Sequence, residues 1–186
     1  MIRDARPEDA ARLAEIFNYY VLNTAVSFET KPVTPEEFAR RMQDITVRYP
    51  YLAAEEDGAV VGYACAHPFV GRAAYDWLAE VTIYLDHGCR GRGTGKALYD
   101  ALEAALRKMG ILNLYACIGV PASEDDEYLD MTSPAFHAAM GYVKVGEFKN
   151  CAFKFGRWYH MIWMEKLLGE HGDEAPERLP YREKEE

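Results

Sequence analysis

The stretch LAEVTIYLDHGCRGRGTGKALYDALEAALRKMGILNLYACIGV, residues 78–120, decides the fold. Leu78 to Leu85 is rich in branched and aromatic residues and reads as a strand. From Cys89 to Lys96 the chain packs three glycines, Gly91, Gly93 and Gly95, among three basic residues, Arg90, Arg92 and Lys96. Ala97, Leu98, Ala101, Leu102, Ala105, Leu106 and Met109 then trace one helical face, closed by Gly110. Leu112 to Val120 reads as a further strand. Strand, glycine loop, helix and strand make a βαβ unit, which requires a buried sheet.

The loop is shaped for an anion, and its spacing narrows which one. A nucleotide-triphosphate loop needs a glycine five positions before its Gly-Lys pair and Ser or Thr after the lysine, where this chain has Arg90 and Ala97. A dinucleotide fingerprint needs a third glycine where Leu98 stands. What remains is Arg90-x-x-Gly93-x-Gly95 at the mouth of a helix. There bare backbone N–H groups and the helix's partial positive charge suit a pyrophosphate.

Working outward toward the N-terminus, Ala10, Leu13, Ile16, Phe17 and Tyr20 recur at helical spacing behind Pro7-Glu8-Asp9. Thr34-Pro35-Glu36-Glu37 predicts a capped second helix through Phe38, Arg41, Met42 and Ile45. Tyr51 to Glu56 and Val60 to His67 read as strands joined by a tight Asp57-Gly58 turn. Toward the C-terminus, Ser133-Pro134 starts a short helix ending at Gly141, and two strands follow, Tyr142 to Phe148 and Trp158 to Glu165. One α/β domain is expected over residues 1–168, with a charged tail, 169–186, either disordered or docked elsewhere.

The 186 residues, 49% of them apolar, suit a single core, and a net charge of -9 argues against nucleic-acid or anionic-membrane binding. The N-terminus carries no apolar leader, and no run approaches the length of a membrane span. The four cysteines are far apart, which signals neither a metal site nor a disulfide framework and points to a reducing cytoplasm.

Arg90-Gly-Arg-Gly-Thr-Gly95 matches the Q/R-x-x-G-x-G/A loop of the GCN5-related N-acetyltransferases (GNAT), which the chain resembles from Ile2 to about Lys166. Asn18-Tyr-Tyr-Val21, Ser27-Phe28-Glu29, Arg72-x-x-Tyr75, Ala79-Glu80-Val-Thr-Ile-Tyr84, Phe136-His137-x-x-Met-Gly141-Tyr142 and Lys154-Phe-Gly-Arg-Trp158 extend the likeness to the phosphinothricin and methionine sulfone acetyltransferase branch. The resemblance implies a mixed, mostly antiparallel central sheet flanked by helices, with a V-shaped opening in it. It implies acetyl-coenzyme A as donor, held by Ile83, Tyr84 and Leu85, by Arg90, Gly91, Arg92, Gly93, Thr94, Gly95 and Lys96, and by Ser133 and Phe136. It also implies a homodimer, and an amino-acid pocket at Phe28, Glu29, Arg72 and Tyr75.

An alkyl ammonium must lose a proton before it attacks a thioester, so a base is needed. Strand alternation puts Glu80, Thr82 and Tyr84 on one face and Val81, Ile83 and Leu85 on the other. A carboxylate at Glu80 beside apolar residues would have a raised pKa, and Glu80 aligns with the branch's general base. The alternative for Glu80 is a solvated residue on an open face. His137 has two readings, proton transfer or support of the substrate pocket or dimer. The oxyanion would be met by a backbone N–H near Tyr84 or Leu85. No cysteine has a nearby base in a recognisable motif, so direct transfer without an acyl-enzyme is expected.

The expected activity is N-acetylation of a small-molecule amine, such as a methionine sulfone, a methionine sulfoximine or a phosphinothricin-like amino acid. The alternatives are acetylation of a protein N-terminus or a polyamine, and a non-catalytic acyl-coenzyme A sensor. Arg72 reads as a carboxylate clamp or a surface charge, and the Lys154 to Trp158 segment as a partner-subunit contribution or a hairpin end. Residues 121–132, PASEDDEYLDMT, are longer and more acidic than the branch's turn. They read as a solvated loop or as a lid that disfavours anionic substrates.

Overall fold

The computed structural model of the protein describes residues 1–89 and 91–181. Its elements run β1 (Ile2–Asp4), α1 (Ala10–Asn23), α2 (Pro35–Thr46), β2 (Tyr51–Glu56), β3 (Ala59–Pro68), β4 (Leu78–Leu85), α3 (Thr94–Lys108), β5 (Asn113–Pro121), α4 (Thr132–Ala139), β6 (Val143–Lys154) and β7 (Arg157–Leu167). The strands form one sheet in the order β1-β2-β3-β4-β5-β7-β6, with β4 and β5 its parallel neighbours and the other pairings antiparallel. The fold class is the mixed, mostly antiparallel α/β expected from the sequence.

Local chemistry explains most boundaries. Thr34 Oγ1 accepts the Glu37 N–H at 3.2 Å and Pro35 opens α2, as the cap pattern predicted. Asp57 and Gly58 turn the β2–β3 hairpin with φ of 51° and 80°. Gly110, at φ 78°, stops α3.

Two elements depart from the sequence expectation. β1 was not foreseen in a polar, acidic N-terminus; it pairs with β2 and is tied down by Arg3, which binds Asp9 and Glu55. β6 was expected to stop at Phe148 but continues to Lys154. Its pairing with β7 shifts register between Phe148 and Ala152, with Asn150 at φ 49°, and then resumes. Such a bulge interrupts the period-two pattern without ending the strand.

Two apolar layers fill the molecule. On one side of the sheet α3 buries Leu98, Leu102 and Leu106 against Ala64, Ala66, Val81 and Leu114. On the other, α1 and α2 bury Leu13, Phe17, Phe38 and Met42 against Ala53, Tyr63 and Cys65. Each fully buried leucine contributes about 1.5–3 kcal/mol. Alanines in β2 and β3 let helices approach both faces closely.

The segment 169–181 docks back onto the domain. Trp77 donates from Nε1 to the Pro176 carbonyl at 2.8 Å, and the Leu179 N–H donates to Met109 at 3.2 Å. A Cβ at Gly110 would lie 2.4 Å from the Glu177 carbonyl oxygen, so the docking itself requires glycine there. The acidic insertion is likewise anchored. The buried Asp126 carboxylate accepts the N–H groups of Tyr128 and Leu129, both at 2.9 Å, while Glu124, Asp125, Glu127 and Asp130 stay exposed.

Candidate active site

β4 and β5 share three residue pairs, Leu78 with Asn113, Ala79 with Leu114 and Glu80 with Tyr115. Past Glu80 they diverge. Val81 to Tyr84 and Ala116 to Gly119 become the walls of a cleft that reaches Tyr99 and His137, and an adjoining cleft runs along Leu85, Gly91, Gly95, Ser133 and Phe136. The β5-facing backbone edge of residues 81–85 thereby loses its strand partner and is open to pair with a ligand.

The glycine loop follows directly. Gly91 and Gly93 adopt φ of 78° and 84°, which L side chains rarely reach. Gly93 is the N-cap of α3 and supplies no side-chain acceptor, so the first amides of the helix stay available to an anion. A Cβ at Gly95 would stand 3.3 Å from the Phe136 ring and 3.4 Å from Leu85. The side chains turn away: Thr94 Oγ1 donates to Glu56 at 2.6 Å, Arg92 lies 3.7 Å from Glu56, and Lys96 pairs with Asp100 at 2.6 Å. The loop thus offers backbone amides beside an apolar channel, the donor set that a pyrophosphate on a pantetheine arm calls for. Arg90 lies outside the described residues.

Glu80 sits where the strands part, half-buried, and shares the sheet face of Thr82 and Tyr84, while Val81, Ile83 and Leu85 face the α3 side. Burial raises its pKa above the ordinary carboxylate range, against a smaller opposing pull from His67, whose Nε2 is 3.8 Å from Oε1.

His137 is buried with both ring nitrogens engaged. Nδ1 faces the Ser133 carbonyl at 2.8 Å, which can only accept, so Nδ1 carries the proton and Nε2 accepts from the Tyr99 hydroxyl at 2.9 Å. Burial also lowers its pKa, keeping the ring neutral. Phe28 packs on Gly119, whose Cβ would be 2.9 Å from its ring, on the Glu80 side of the sheet. Glu29 is held at 2.6 Å by Arg41 of α2.

Arg72 and Tyr75 lie in the exposed loop before β4, at the end of that strand away from the glycine loop. Arg72 makes no ion pair among the described residues. Burial pushes the Cys65 thiol up to about 12, with Glu80 adding to it, so it is not a ready nucleophile, while Cys117 is exposed on β5 and the Glu80 charge disfavours its thiolate.

Sequence reasoning missed several wall residues. Tyr20, expected on the apolar face of α1, is buried there, and its hydroxyl also donates to the Leu85 carbonyl at the open strand end. Tyr99 was unremarked inside α3, and Cys117 and Gly119 line the cleft from β5. His67 faces Glu80 through the β3–β4 register. For Cys117 and Gly119 the strand's alternation was a usable signal; for Tyr20 and His67 there was none in the local sequence.

Comparison with known proteins agrees with this geometry. A family model described as an acetyltransferase (GNAT) domain matches residues 2–163. A phosphinothricin N-acetyltransferase of Streptomyces viridochromogenes is 35% identical over 165 residues, covering 89% of this chain and 86% of its own. An L-methionine sulfoximine/L-methionine sulfone acetyltransferase of Salmonella typhimurium is 29% identical over 171 residues, covering 91% and 95%. The solved structure of a GNAT superfamily phosphinothricin acetyltransferase from Sinorhizobium meliloti in complex with AcCoA superposes with a TM-score of 0.84 at 34% identity, covering 98% of each chain. With an open strand edge leading into an uncapped, glycine-lined helix start, the chain belongs to the GNAT acetyltransferase family and is an acetyl-coenzyme A-dependent N-acetyltransferase.

Proposed function

We propose that the protein acetylates the α-amino group of a small amino acid of the phosphinothricin or methionine sulfone and sulfoximine type, with Glu80 as general base. The observation that carries this reading is the position of Glu80, at the fork between β4 and β5 and five residues before the strand ends at the donor loop. Acetyl-coenzyme A supplies the activated acetyl group as a thioester. Glu80 takes a proton from the ammonium, the freed amine nitrogen bonds to the acetyl carbon, the carbon–sulfur bond breaks, and coenzyme A leaves as a thiolate that takes up the second amine proton to become the thiol. A carboxyl whose pKa is raised by burial is a stronger base than an ordinary one once ionised. Gly91, Gly93 and Gly95 present the backbone that holds the pyrophosphate, and residues 83–85 pair with the pantetheine arm.

Phe28 closes the acceptor side, and Arg72 and Tyr75 receive the carboxylate of the amino acid. His137, saturated by Ser133 and Tyr99, orients α4 against the cleft. The protein functions as a homodimer, for which the exposed apolar side chains of β6 are the support, and it works in the cytoplasm, consistent with four free cysteines.

Coenzyme A release measured against methionine sulfone, methionine sulfoximine, phosphinothricin, ordinary amino acids, polyamines and short peptides tests the substrate class. Turnover confined to polyamines or peptides would refute it. Glu80→Gln is expected to retain acetyl-coenzyme A affinity within about twofold and to lose about 10²- to 10⁴-fold in kcat. Unchanged turnover would remove Glu80 from the mechanism.

A further inference from the structure

The proposed base does not stand alone on its sheet face. His67 is the β3 residue in register with Glu80, so the two side chains project from the same side of adjacent antiparallel strands. His67 Nε2 is 3.8 Å from Glu80 Oε1, and both groups are partly open to solvent. Among the described residues, this is the one ion-pair contact that Glu80 has.

The other titratable groups around the carboxyl do not supply a positive charge. Cys65 on β3 is held as a neutral thiol by burial, and the exposed Cys117 on β5 carries no positive charge in either protonation state. Tyr115, the β5 residue in register with Glu80, is pushed up to about 12, and its hydroxyl donates to Glu165 on β7. Arg72 and Tyr75 lie in the loop before β4, and neither is within ion-pair distance of Glu80. His67 thus faces the carboxyl as the adjacent cation donor.

We propose that His67 is a positioning residue for Glu80: facing it across the β3–β4 register with Nε2 at 3.8 Å from Oε1, its ring favours the ionised carboxylate, the form able to accept a proton. This rests on the reading of Glu80 as the base. At 3.8 Å the contact exceeds a direct hydrogen bond, so the interaction acts through charge and needs no proton transfer between the two. An imidazolium beside a carboxylate favours the charged form, and the direction of the His67 influence on Glu80 agrees. The arrangement extends the useful range of the enzyme toward acid.

The test is the pH dependence of kcat/KM for the intact enzyme and for His67→Gln, together with the Glu80 carboxyl titration. That titration is followed by 13C NMR of side-chain-labelled glutamate, the signal being assigned by its loss in Glu80→Gln. In His67→Gln the acid limb is expected to move up by about 0.5–1 pH unit. Within the acid limb kcat/KM should fall about three- to tenfold, while above it the variant stays within about twofold of the parent. The Glu80 carboxyl should move up in parallel.

A carboxyl titration unchanged in His67→Gln overturns the pairing. A moved titration with superimposable rate profiles overturns the positioning role. A loss of kcat/KM equal within the acid limb and above it assigns His67 a packing role and overturns it as well. Full turnover by Glu80→Gln is the separate result that fails the base reading, and the NMR titration reports on the pair without reference to activity.

Discussion

At Gly95 a single added methyl would press on the Phe136 ring and on Leu85, the side chains that bound the donor cleft. Gly95→Val is therefore expected to keep the far-ultraviolet circular dichroism of the parent and to weaken acetyl-coenzyme A binding by tenfold or more in calorimetry, because overpacking at such a site costs about 1–3 kcal/mol. Affinity equal to the parent's would show that the donor does not need this close approach. Other single residues differed in how far the sequence revealed them. The sheet face of Glu80 was legible because strand alternation fixed it, whereas its place at the fork was not, since that depends on how far β4 pairs with β5. The engagement of both His137 nitrogens was not, since it depends on Tyr99, 38 positions away in the chain. His67 was hidden for the same reason: nothing near Pro68 announces which β4 residue will stand opposite.

Helices, caps and hairpin turns were readable because their signals lie within four residues of one another, as at Thr34 with Glu37 or Asp57 with Gly58. β1 was not, because its stability comes from across the fold. Arg3 makes a bidentate contact with Asp9, at 2.7 and 2.9 Å, and reaches Glu55 at 2.8 Å, while Asp9 also accepts the Arg6 N–H. The hydrogen bond from the Arg3 guanidinium is the main cause holding the Asp9 pKa below the ordinary carboxylate range. A depressed folded-state pKa means that this stabilisation is fully present above the unfolded value, about 3.9, and is lost as pH falls through the lower folded value. Asp9→Asn should accordingly cost about 1–3 kcal/mol at pH 7 in urea denaturation, with the difference from the parent shrinking toward pH 3 and below. A gap of constant size across that range would assign the loss to packing and not to charge.

Over the whole molecule, the outer strand presents the largest unresolved demand. β6 ends the sheet and exposes Val143, Val145, Phe148, Phe153 and, across the hairpin, Trp158, with Phe153 at 57% and Trp158 at 54%. Proteins blunt or cover such edges. The proposed homodimer would cover this one, and Phe153→Glu with Trp158→Glu is expected to convert the dimer to a monomer in sedimentation velocity. A dimer that persists would move the contact elsewhere. The docked course of residues 169–181 was only half legible: the charge predicted a tail, but the Gly110 contact and the Trp77 bond that hold it are tertiary. The three shared pairs of β4 and β5 also set an order along the gap. The two halves of the sheet, β1 to β4 and β5 to β6, part beyond that short seam, while α3 packs beneath both. A long ligand lying in the gap meets the Glu80 carboxylate at its closed end and the glycine loop at its open end.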